Sequence, residues 1–442
     1  MSLQLSLSGL TSEARALDVV GNNIANSQTV GFKATKARFA DVYGAVRTAG
    51  DKSSDAVAAG VNSLTLHQQF QQGMINRTDR PLDVAINGKG FFRLQQGNEV
   101  TYTRNGEFQL QYEAGANGTP TNNVFLVSRD QRSVTGYNIS YAADPQGTAV
   151  PSNPPRPIVI NTFMPAQATS GVQIGANFDS RAPVPTNPVF NPDDALTFNS
   201  NTGVTAYDST GTPHDLRIYF VRVDQTNAVA IPPANTWNVY TRMDGAVQSG
   251  PFPMSFDTLG SPLSGTPVPA QTYALPGGTS VGPLSFDFSG ATQFGKSFSY
   301  DSVQQLNGYP KGSVESSSGL NFAPNGEIWA TYNNGQARRV GQITLSSFTN
   351  NDALINVGDG QWMRNLDPVR GNGKEIIDVP HSDNPATGKG MGALTGGATE
   401  SSNVNLNDEL VALIVHQRNY QANAQTFKIL DQVLQNLADK IR

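Results

Sequence analysis

The sequence predicts an α+β multidomain protein in which a long helix at each end of the chain encloses mainly β domains. Proline gives the first indication: none precedes Pro81 or follows Pro385, and 20 of the 27 prolines lie between Pro145 and Pro283. Proline interrupts helices and is confined in sheets to edges, bulges and strand starts. The 43 glycines and the low charged content of 15% are typical of a turn-rich β body between two helical ends.

The N-terminal segment places apolar or small residues at alternating steps of four and three, which predicts one seam along an α-helix. This seam comprises Leu3, Leu7, Leu10, Ala14, Leu17, Gly21 and Ile24. Polar residues such as Ser6, Glu13 and Asp18 fall outside it. The segment is therefore predicted to be an amphipathic helix.

The C-terminal segment repeats this pattern and predicts a helix from about 406 to 441, roughly 54 Å long at 1.5 Å per residue. Asn403 or Asn405 is suitably placed to cap its first turn. Gln417 is the one polar member of the seam, which otherwise comprises Leu406, Leu410, Leu413, Tyr420, Ala424, Phe427, Leu430, Leu434, Leu437 and Ile441.

The two seams predict that the terminal helices pair as a coiled coil. Such a pair could close an ordinary monomer, as most amphipathic helices do. However, the seam is longer than a small core requires, and a two-helix hairpin leaves apolar surface uncovered. The pattern therefore favours packing of these helices between copies of the chain.

The chain between the helices divides into nested segments. Alternating strands with Asn-Gly turns at 87–88 and 105–106 predict an inner β domain, and a Pro-rich passage leads from it into a second β domain. The predicted domains are a terminal helical core (1–30 and 400–442), linker or joint segments (31–79 and 375–399), an inner β domain (80–155 and 291–374) and an inserted outer β domain (156–290).

Charge and cysteine content argue against several classes of function. The 30 basic and 35 acidic residues give a net charge of -5 with no long run of either sign, so we expect no nucleic-acid binding. Without cysteine there are no disulfides, thiol nucleophiles or thiolate metal sites. The first residues lack the basic start of a Sec-type signal peptide, and the apolar run at 410–415 is too short for membrane insertion.

No common catalytic motif is present, so we predict no catalytic, cofactor-binding or metal site. The carboxylates of Asp193 and Asp194, or the neighbouring His214 and Asp215, could serve a hydrolase if a third group converged on them. Without an accompanying motif, surface turns of a β domain are the better interpretation. The Gly-rich stretch around Lys389 lacks the spacing of a phosphate-binding loop and is interpreted as a linker.

The basic residues Lys33, Lys36 and Arg38 could contact phosphate. No aromatic platform accompanies them, so a solvated face or a contact with an acidic neighbouring subunit is the better interpretation.

Near the start of the chain the stretch ANSQTVGFK contains Ala25, Asn26, Thr29, Gly31, Phe32 and Lys33. Further distinctive stretches are LDVAINGKGFF at 82–92, YTRNGEF at 102–108, TGY at 135–137 and the block at 400–437. Together these stretches resemble the axial proteins of the bacterial flagellum, the rod and hook family. The six residues near the start match the N-terminal signature of that family, and residues 400–437 resemble its C-terminal block almost throughout.

The resemblance implies a structural subunit that is exported from the cytoplasm and assembles outside the cell. The short rod members lack a large middle domain, whereas YDSTGTPHDLRIYFVRV and NTWNVYTRMDG are similar to the outer domain of the hook members. A hook member forms a flexible helical tube that acts as a universal joint and transmits torque from rod to filament. The implied partners are further copies of the chain, the rod protein, the hook cap, the hook–filament junction proteins and the flagellar export apparatus.

In such a tube the terminal helices line the inside while the β domains project outward, so the chain needs a polar, bendable joint between them. The joint is predicted at Asn23, Asn26, Thr29, Gly31 and Phe32, where amide and hydroxyl groups can bond free backbone groups and glycine can adopt a left-handed conformation. Gln417 is then interpreted as a hydrogen-bonding site between helices.

Two alternatives remain at this point. A distal-rod-type axial protein would form a straight tube and would not need the large middle domain. A secreted β-rich glycan-binding protein or hydrolase would act as a monomer and would need paired carboxylates in a cleft.

Overall fold

The computed structural model describes residues 2–45, 56–114, 120–142, 147–187, 189–223, 236–245, 247–275, 279–314, 317–367, 371, 373–380 and 391–441. Helix α1 (Ser2–Ala25) and helix α2 (Leu406–Ile441) lie at the two ends of the chain, and β-strands fill most of the sequence between them. This confirms a mainly β protein with a helix at each end. Neither helix of the described chain is both long and apolar enough to span a bilayer. The stretch around Lys389 lies outside the described residues.

The chain divides into two compact units. Unit 1 comprises residues 1–162, 315–331 and 337–442, and unit 2 comprises residues 163–314 and 332–336.

In unit 1, α1 and α2 pack against each other, and α1 also contacts the antiparallel hairpin formed by strands Thr35–Ala45 and Ala56–Gln68. The side-chain oxygen of Asn405 accepts a bond from the backbone N–H of Asn407 at 3.1 Å, so Asn405 caps the start of α2. The Asn403 side chain instead bonds to the backbone of Ala34 and Gln71.

The main sheet of unit 1 is antiparallel and combines strands that precede unit 2 in the sequence with strands that follow it. Its strands are Phe91–Gln96, Glu99–Thr103, Gln109–Ala114, Pro120–Val127, Ser133–Ser140, Thr148–Val150, Arg156–Pro157, Val159–Asn161, Leu320–Phe322, Glu327–Thr331, Ala337–Ile343, Leu345–Phe348, Ile355–Gly358, Gln361–Met363 and Glu375–Asp378. Two smaller pairings join Ile75–Arg77 to Ala398–Glu400, and Val84–Asn87 to Ala393–Gly396. Short 3₁₀ turns lie at Ser317–Gly319 and Asn351–Ala353.

Strands from different parts of unit 1 contribute to one buried aromatic cluster. Phe91, Tyr102, Phe348 and Trp362 are buried together, and Phe70 packs against them. The rings of Tyr102 and Phe348 meet edge to face with centroids 4.7 Å apart. Residues before and after unit 2 in the sequence therefore build one core, because strands near 91–103 and 345–363 pair directly.

Unit 2 contains two sheets that share one core. The four-stranded sheet comprises Ser200–Tyr207, Pro213–Arg222, Thr236–Met243 and Val247–Ser255, and the five-stranded sheet comprises Gly171–Asp179, Gln271–Ala274, Ser280–Asp287, Thr292–Phe294 and Ser299–Leu306. A further short pairing joins Phe163–Met164 to Gly312–Ser313. Phe178 from the five-stranded sheet contacts Phe220 and Trp237 of the other, with centroids 4.8 Å and 5.2 Å away. Unit 2 is thus a small β-sandwich.

The compact units differ from the predicted domain bounds at several places, including the two that follow. Strand Ser299–Leu306, assigned from the sequence to the inner domain, pairs antiparallel with Gly171–Asp179 in unit 2. The predicted linker over 31–79 contains the hairpin next to α1. Local alternation predicted strands in the first case but did not show which sheet they join.

Candidate assembly site at the paired chain ends

Polar side chains join α1 to α2. His416 Nδ1 lies 2.6 Å from Glu13 Oε2, and Asn419 donates to Glu13 Oε1 at 3.2 Å. Nearer the end of α1, the Asn23 amide donates to Glu409 Oε1 at 3.1 Å. These contacts run in opposite directions along the two helices, so α1 and α2 are antiparallel.

Gly9 of α1 lies close to α2. A Cβ added to Gly9 would stand 3.0 Å from the side-chain nitrogen of Asn423. Gly9, Glu13 and Asn23 of α1 therefore face α2. The residues of the predicted α1 seam lie next to these three residues on the helix surface and are not among them.

The predicted seam residues occupy different environments. Leu10, Leu17, Ile24, Leu413, Tyr420 and Phe427 are half-buried. Leu7, Leu406 and Leu410 are exposed by 48%, 45% and 42% respectively. The side chains of Leu3, Leu434 and Ile441 lie outside the described part of the structure.

Gln417 does not provide the polar bond between helices that the sequence suggested. Its side chain is exposed, and the neighbouring His416 and Asn419 bond to Glu13 instead. The residues of α2 that face α1 include Glu409, His416 and Asn423. Leu410 and Gln417 each follow one of these residues in the sequence, so their side chains point about 100° further round the helix.

Two pairs of exposed apolar residues lie on the outer side of α2, with Arg418 and Ala422 between them. Val411, Val415, Ile429 and Val433 are each about half exposed or more, with Val411 at 62%. Their spacings of 4, 14 and 4 residues keep them on one side of the helix. We refer to these four residues as the outer apolar face.

Side-chain caps end α1 within the predicted joint. The backbone N–H and the side-chain amide of Asn26 both donate to the carbonyl of Asn22, at 3.1 Å and 3.0 Å. The Thr29 hydroxyl then donates to Asn26 Oδ1 at 3.1 Å. These bonds use polar groups that a helix end would otherwise leave unpaired.

Gly31 holds the next turn in a conformation that favours glycine. Its φ is +72°, and a Cβ at this position would stand 2.5 Å from the backbone nitrogen of Asn105. The Gly31 N–H donates to the Glu400 carbonyl at 2.7 Å, which joins this turn to the segment that leads into α2. Phe32 is half-buried, and its carbonyl accepts a bond from the Asn403 N–H at 3.4 Å.

Lys33, which directly follows this turn, meets two other buried charged residues. Lys33 Nζ lies 2.5 Å from Glu400 Oε1, and both side chains are fully buried. Arg104 Nη1 donates to Glu400 Oε2 at 3.2 Å and is also almost completely buried. We call Lys33, Arg104 and Glu400 the charge hub.

The hub corrects the sequence interpretation of Lys33 as part of a solvated basic face. Lys36 and Arg38 are exposed, but Lys33 is not. Lys33 follows the turn at Gly31, and this turn directs its side chain toward Glu400 of the strand Ala398–Glu400.

Backbone groups complete the surroundings of the hub. Lys33 Nζ donates to the Gln71 carbonyl at 2.7 Å, and the Gly73 N–H donates to Glu400 Oε1 at 2.8 Å. The Asn403 side chain accepts from the Ala34 N–H at 2.7 Å and donates to the Gln71 carbonyl at 3.1 Å. The stretches after α1, around 71–73 and before α2 are therefore tied together.

Burial changes the proton affinity of groups along this region. Burial lowers the pKa of Lys33, and the opposing Glu400 carboxylate offsets part of that effect. Burial also lowers the pKa of Arg104. For Glu409, burial raises the pKa of the carboxyl group, and the bond from Asn23 opposes the increase.

The residues weighed as catalytic candidates have structural partners in unit 2. Asp193 accepts a bond from Arg242 at 2.7 Å, and Asp194 accepts one from the Leu196 N–H at 3.0 Å. His214 Nδ1 lies 2.6 Å from Asp244, which also accepts from the Asp215 N–H. Within the described residues, no group of three or more His, Asp and Glu side chains is arranged to hold a metal ion.

Glu400 and Arg104 are functional candidates that the sequence analysis did not single out individually. Both lie within stretches noted for family resemblance, and this was the available signal. Their contact joins residues 296 positions apart, so no local pattern could reveal it.

Family models match both chain ends and part of the β body between them. Residues 3–33 match the flagella basal body rod protein model, and residues 395–440 match the flagellar basal body rod FlgEFG protein C-terminal model. Residues 85–175 match the flagellar hook protein FlgE/F/G D1 domain, and residues 177–309 match the flagellar basal body protein FlaE D2 domain. These matches define an axial structural protein of the bacterial flagellum.

Whole-length relatives specify the member of that class. The flagellar hook protein FlgE of Salmonella typhimurium is 36% identical over 99% of this chain and 100% of its own length. That of Escherichia coli is 33% identical, again over 99% and 100%. The crystal structure of Helicobacter pylori flagellar hook protein FlgE2 has a TM-score of 0.45 and 14% identity, covering 72% of this chain and 98% of that one.

The chain belongs to the flagellar hook protein family. It is a structural subunit of the bacterial flagellar hook, outside the cell and next to the basal body, and it is not an enzyme. The hydrolase alternative is therefore wrong, and the whole-length relatives favour hook over rod.

Proposed function

We propose that copies of this chain assemble through their terminal helices into the flexible tube of the hook. In this proposal α1 and α2 form an antiparallel coiled-coil unit, and the outer apolar face of α2 packs against another copy. Contacts that join different surfaces of identical subunits do not close on themselves and generate a helical filament.

The observation that carries this proposal is the exposure of Val411, Val415, Ile429 and Val433 on one side of α2. The opposite side of α2 already contacts α1 through Glu409 and His416. A helix that is apolar beyond its intramolecular contact is typical of an interaction surface. The exposed seam residues Leu7, Leu406 and Leu410 add to the apolar area that a neighbouring copy would cover.

The spacing of the less exposed residues of α2 supports a coiled coil. Glu409 is buried, and the half-buried positions at four- and three-residue steps after it are Leu413, His416, Tyr420, Asn423, Phe427 and Leu430. This is the heptad spacing of supercoiled helices.

In this proposal the β units form the outer layers of the tube. Unit 2 is assigned to the outer domain and the sheet of unit 1 to the inner domain, with the segment through Asn23, Asn26, Thr29, Gly31 and Phe32 joining them to the helical core. Bending of the tube requires small displacements between neighbouring subunits. The proposed partners, apart from further copies, are the rod protein, the hook cap, the hook–filament junction proteins and the export apparatus.

The test replaces two residues of the outer apolar face with polar ones, Val411→Gln and Val415→Gln, in the full-length chain. The matched control changes two exposed polar residues of the same helix, Gln417→Ser and Gln421→Ser. Tube formation is followed by electron microscopy across a concentration series.

We expect the valine variant to need at least about tenfold more protein to form tubes, equivalent to about 1.4 kcal/mol, because its interface loses apolar burial. The control should assemble like the unchanged chain. Tubes formed by the valine variant at the unchanged concentration would refute this interface.

A further inference from the structure

The charge hub has an unequal composition, because two buried cations share one buried carboxylate. Each oxygen of Glu400 serves a different cation: Oε1 faces Lys33 at 2.5 Å and Oε2 faces Arg104 at 3.2 Å. Arg104 Nη2 also donates to the Gly88 carbonyl at 2.9 Å, and its guanidinium lies 5.3 Å from the centre of the Phe91 ring. The hub is therefore enclosed by protein, and its charges are balanced mainly by one another.

The three hub residues come from distant parts of the chain. Lys33 follows α1, Arg104 follows strand Glu99–Thr103, and Glu400 ends the strand that precedes α2. Glu400 also accepts through its carbonyl from Gly31 and through Oε1 from Gly73. One residue thus binds the turn after α1, the 71–73 stretch and the inner sheet at once.

We infer that Glu400 is a positioning residue that makes the two ends of the chain order together. Its carboxylate holds the base of α1 and the base of α2 in one arrangement, in which the antiparallel contacts Asn23–Glu409 and Glu13–His416 are in register. This inference rests on the proposed function in one respect, namely that the paired helices are the element that assembles.

The electrostatics of the hub predict which substitutions destabilise it most. Removing one partner of a buried ion pair is strongly destabilising, because the other charge remains buried without compensation. Glu400→Gln leaves both cations without a carboxylate. Lys33→Met, by contrast, leaves Glu400 paired one to one with Arg104, and the apolar methionine side chain suits a buried position.

The double variant gives the sharpest test. Adding Lys33→Met to Glu400→Gln removes one of the two uncompensated cations, so it should partly rescue the single Glu400→Gln variant. If Glu400 acted only by filling space, the second substitution would add a further packing defect and make the protein worse.

The experiment measures the critical concentration for tube assembly of the full-length chain and of all three variants. The control is Glu327→Gln, which removes a carboxylate from a partly exposed pair with Arg339 in the same unit. We expect the largest increase, at least about tenfold, for Glu400→Gln and an increase of about threefold or less for Lys33→Met. The double variant should lie between them, and the control should remain near the unchanged chain.

Two results would overturn the inference: a double variant that assembles worse than Glu400→Gln, or a Glu400→Gln variant that assembles like the control. If the unchanged chain formed no tubes, the proposed assembly function would fail separately. The variants would then be ranked by the hydrogen exchange of the Gly31 and Gly73 amides, since both amides donate to Glu400. The same ranking as for tube assembly would be expected. Equal exchange in Glu400→Gln and the unchanged chain would reject the hub on its own.

Discussion

The sandwich core of unit 2 and the charge hub of unit 1 hold their surroundings together by opposite means. In unit 2, Phe178 packs against the rings of Phe220, Trp237, Phe256 and Phe298. Burial of such apolar area stabilises a fold without requiring one particular partner geometry. The hub instead depends on two cations meeting one carboxylate, and it is stable only when distant segments are all in place.

This difference assigns separate tasks to the two regions. An apolar sandwich suits a β domain that folds by itself, because the described residues of its core, including the partly buried Phe298 and Val303, lie within residues 172–303. The hub suits an element whose two halves come from opposite ends of the chain, since ordering either half alone would bury unpaired charge. The terminal helices therefore depend on each other more than the β body depends on them.

The sandwich core of unit 2 should lose the most stability when its central ring is removed. Phe178→Ala removes the ring at the centre of the aromatic cluster and should lower the free energy of unfolding of unit 2 by about 3–5 kcal/mol. Segment-resolved hydrogen exchange measures this loss over residues 171–255. The control, Tyr300→Ala, removes an exposed aromatic side chain from a neighbouring strand of the same sheet and should change little. Equal effects of the two substitutions would contradict the assigned core.

The next effect concerns the turn that leads into the hub. Gly31→Ala should destabilise the segment by about 2–3 kcal/mol, since φ is positive and the new Cβ would meet backbone atoms of residues 104–105. Gly97→Ala is the matched control, because Gly97 also has a positive φ but open space around it. Exchange of the Thr29–Lys33 amides distinguishes the two, and an equal response would show that the close approach at Gly31 has no consequence.

A buried tyrosine in the sandwich core makes the stability of unit 2 depend on pH. Burial raises the pKa of Tyr273 to about 12, from 10.0, and its hydroxyl donates to Thr241 Oγ1. The folded state therefore retains a proton that the unfolded chain loses above pH 10, so this contribution is intact below pH 10 and declines as pH rises toward 12. Between pH 9 and 11.5 the unchanged chain should lose about 2 kcal/mol of stability relative to Tyr273→Phe. A constant difference between the two proteins in urea unfolding would contradict this.

Periodicity predicted much of the fold, and the limits of the prediction follow from what periodicity measures. Apolar spacing predicted a helix over about 406–441, and α2 spans Leu406–Ile441. The same spacing did not identify the face of α2 turned to α1, because the cross-helix bonds come from Glu409, His416 and Asn419. Hydropathy ranks these residues as solvent-facing, although here they bond to another helix.

The candidate site was less predictable than the fold. The Asn-rich joint was visible because caps and turns have local signals, as the bonds of Asn26 and the φ of Gly31 illustrate. The pairing of Lys33 with Glu400 was not visible, because 367 positions separate the two residues and no local pattern links them. Such contacts depend on topology, which brings the start and the end of the chain to one place.

The most direct test of the central role of the terminal helices is electron microscopy of a chain that lacks residues 410–442, compared with the full-length chain under the same assembly conditions. Circular dichroism and hydrogen exchange establish in parallel whether the β units of the shortened chain are folded. We predict a folded β body that forms no tubes at any concentration at which the full-length chain assembles. Tubes formed by the shortened chain would contradict the assignment of assembly to the paired helices.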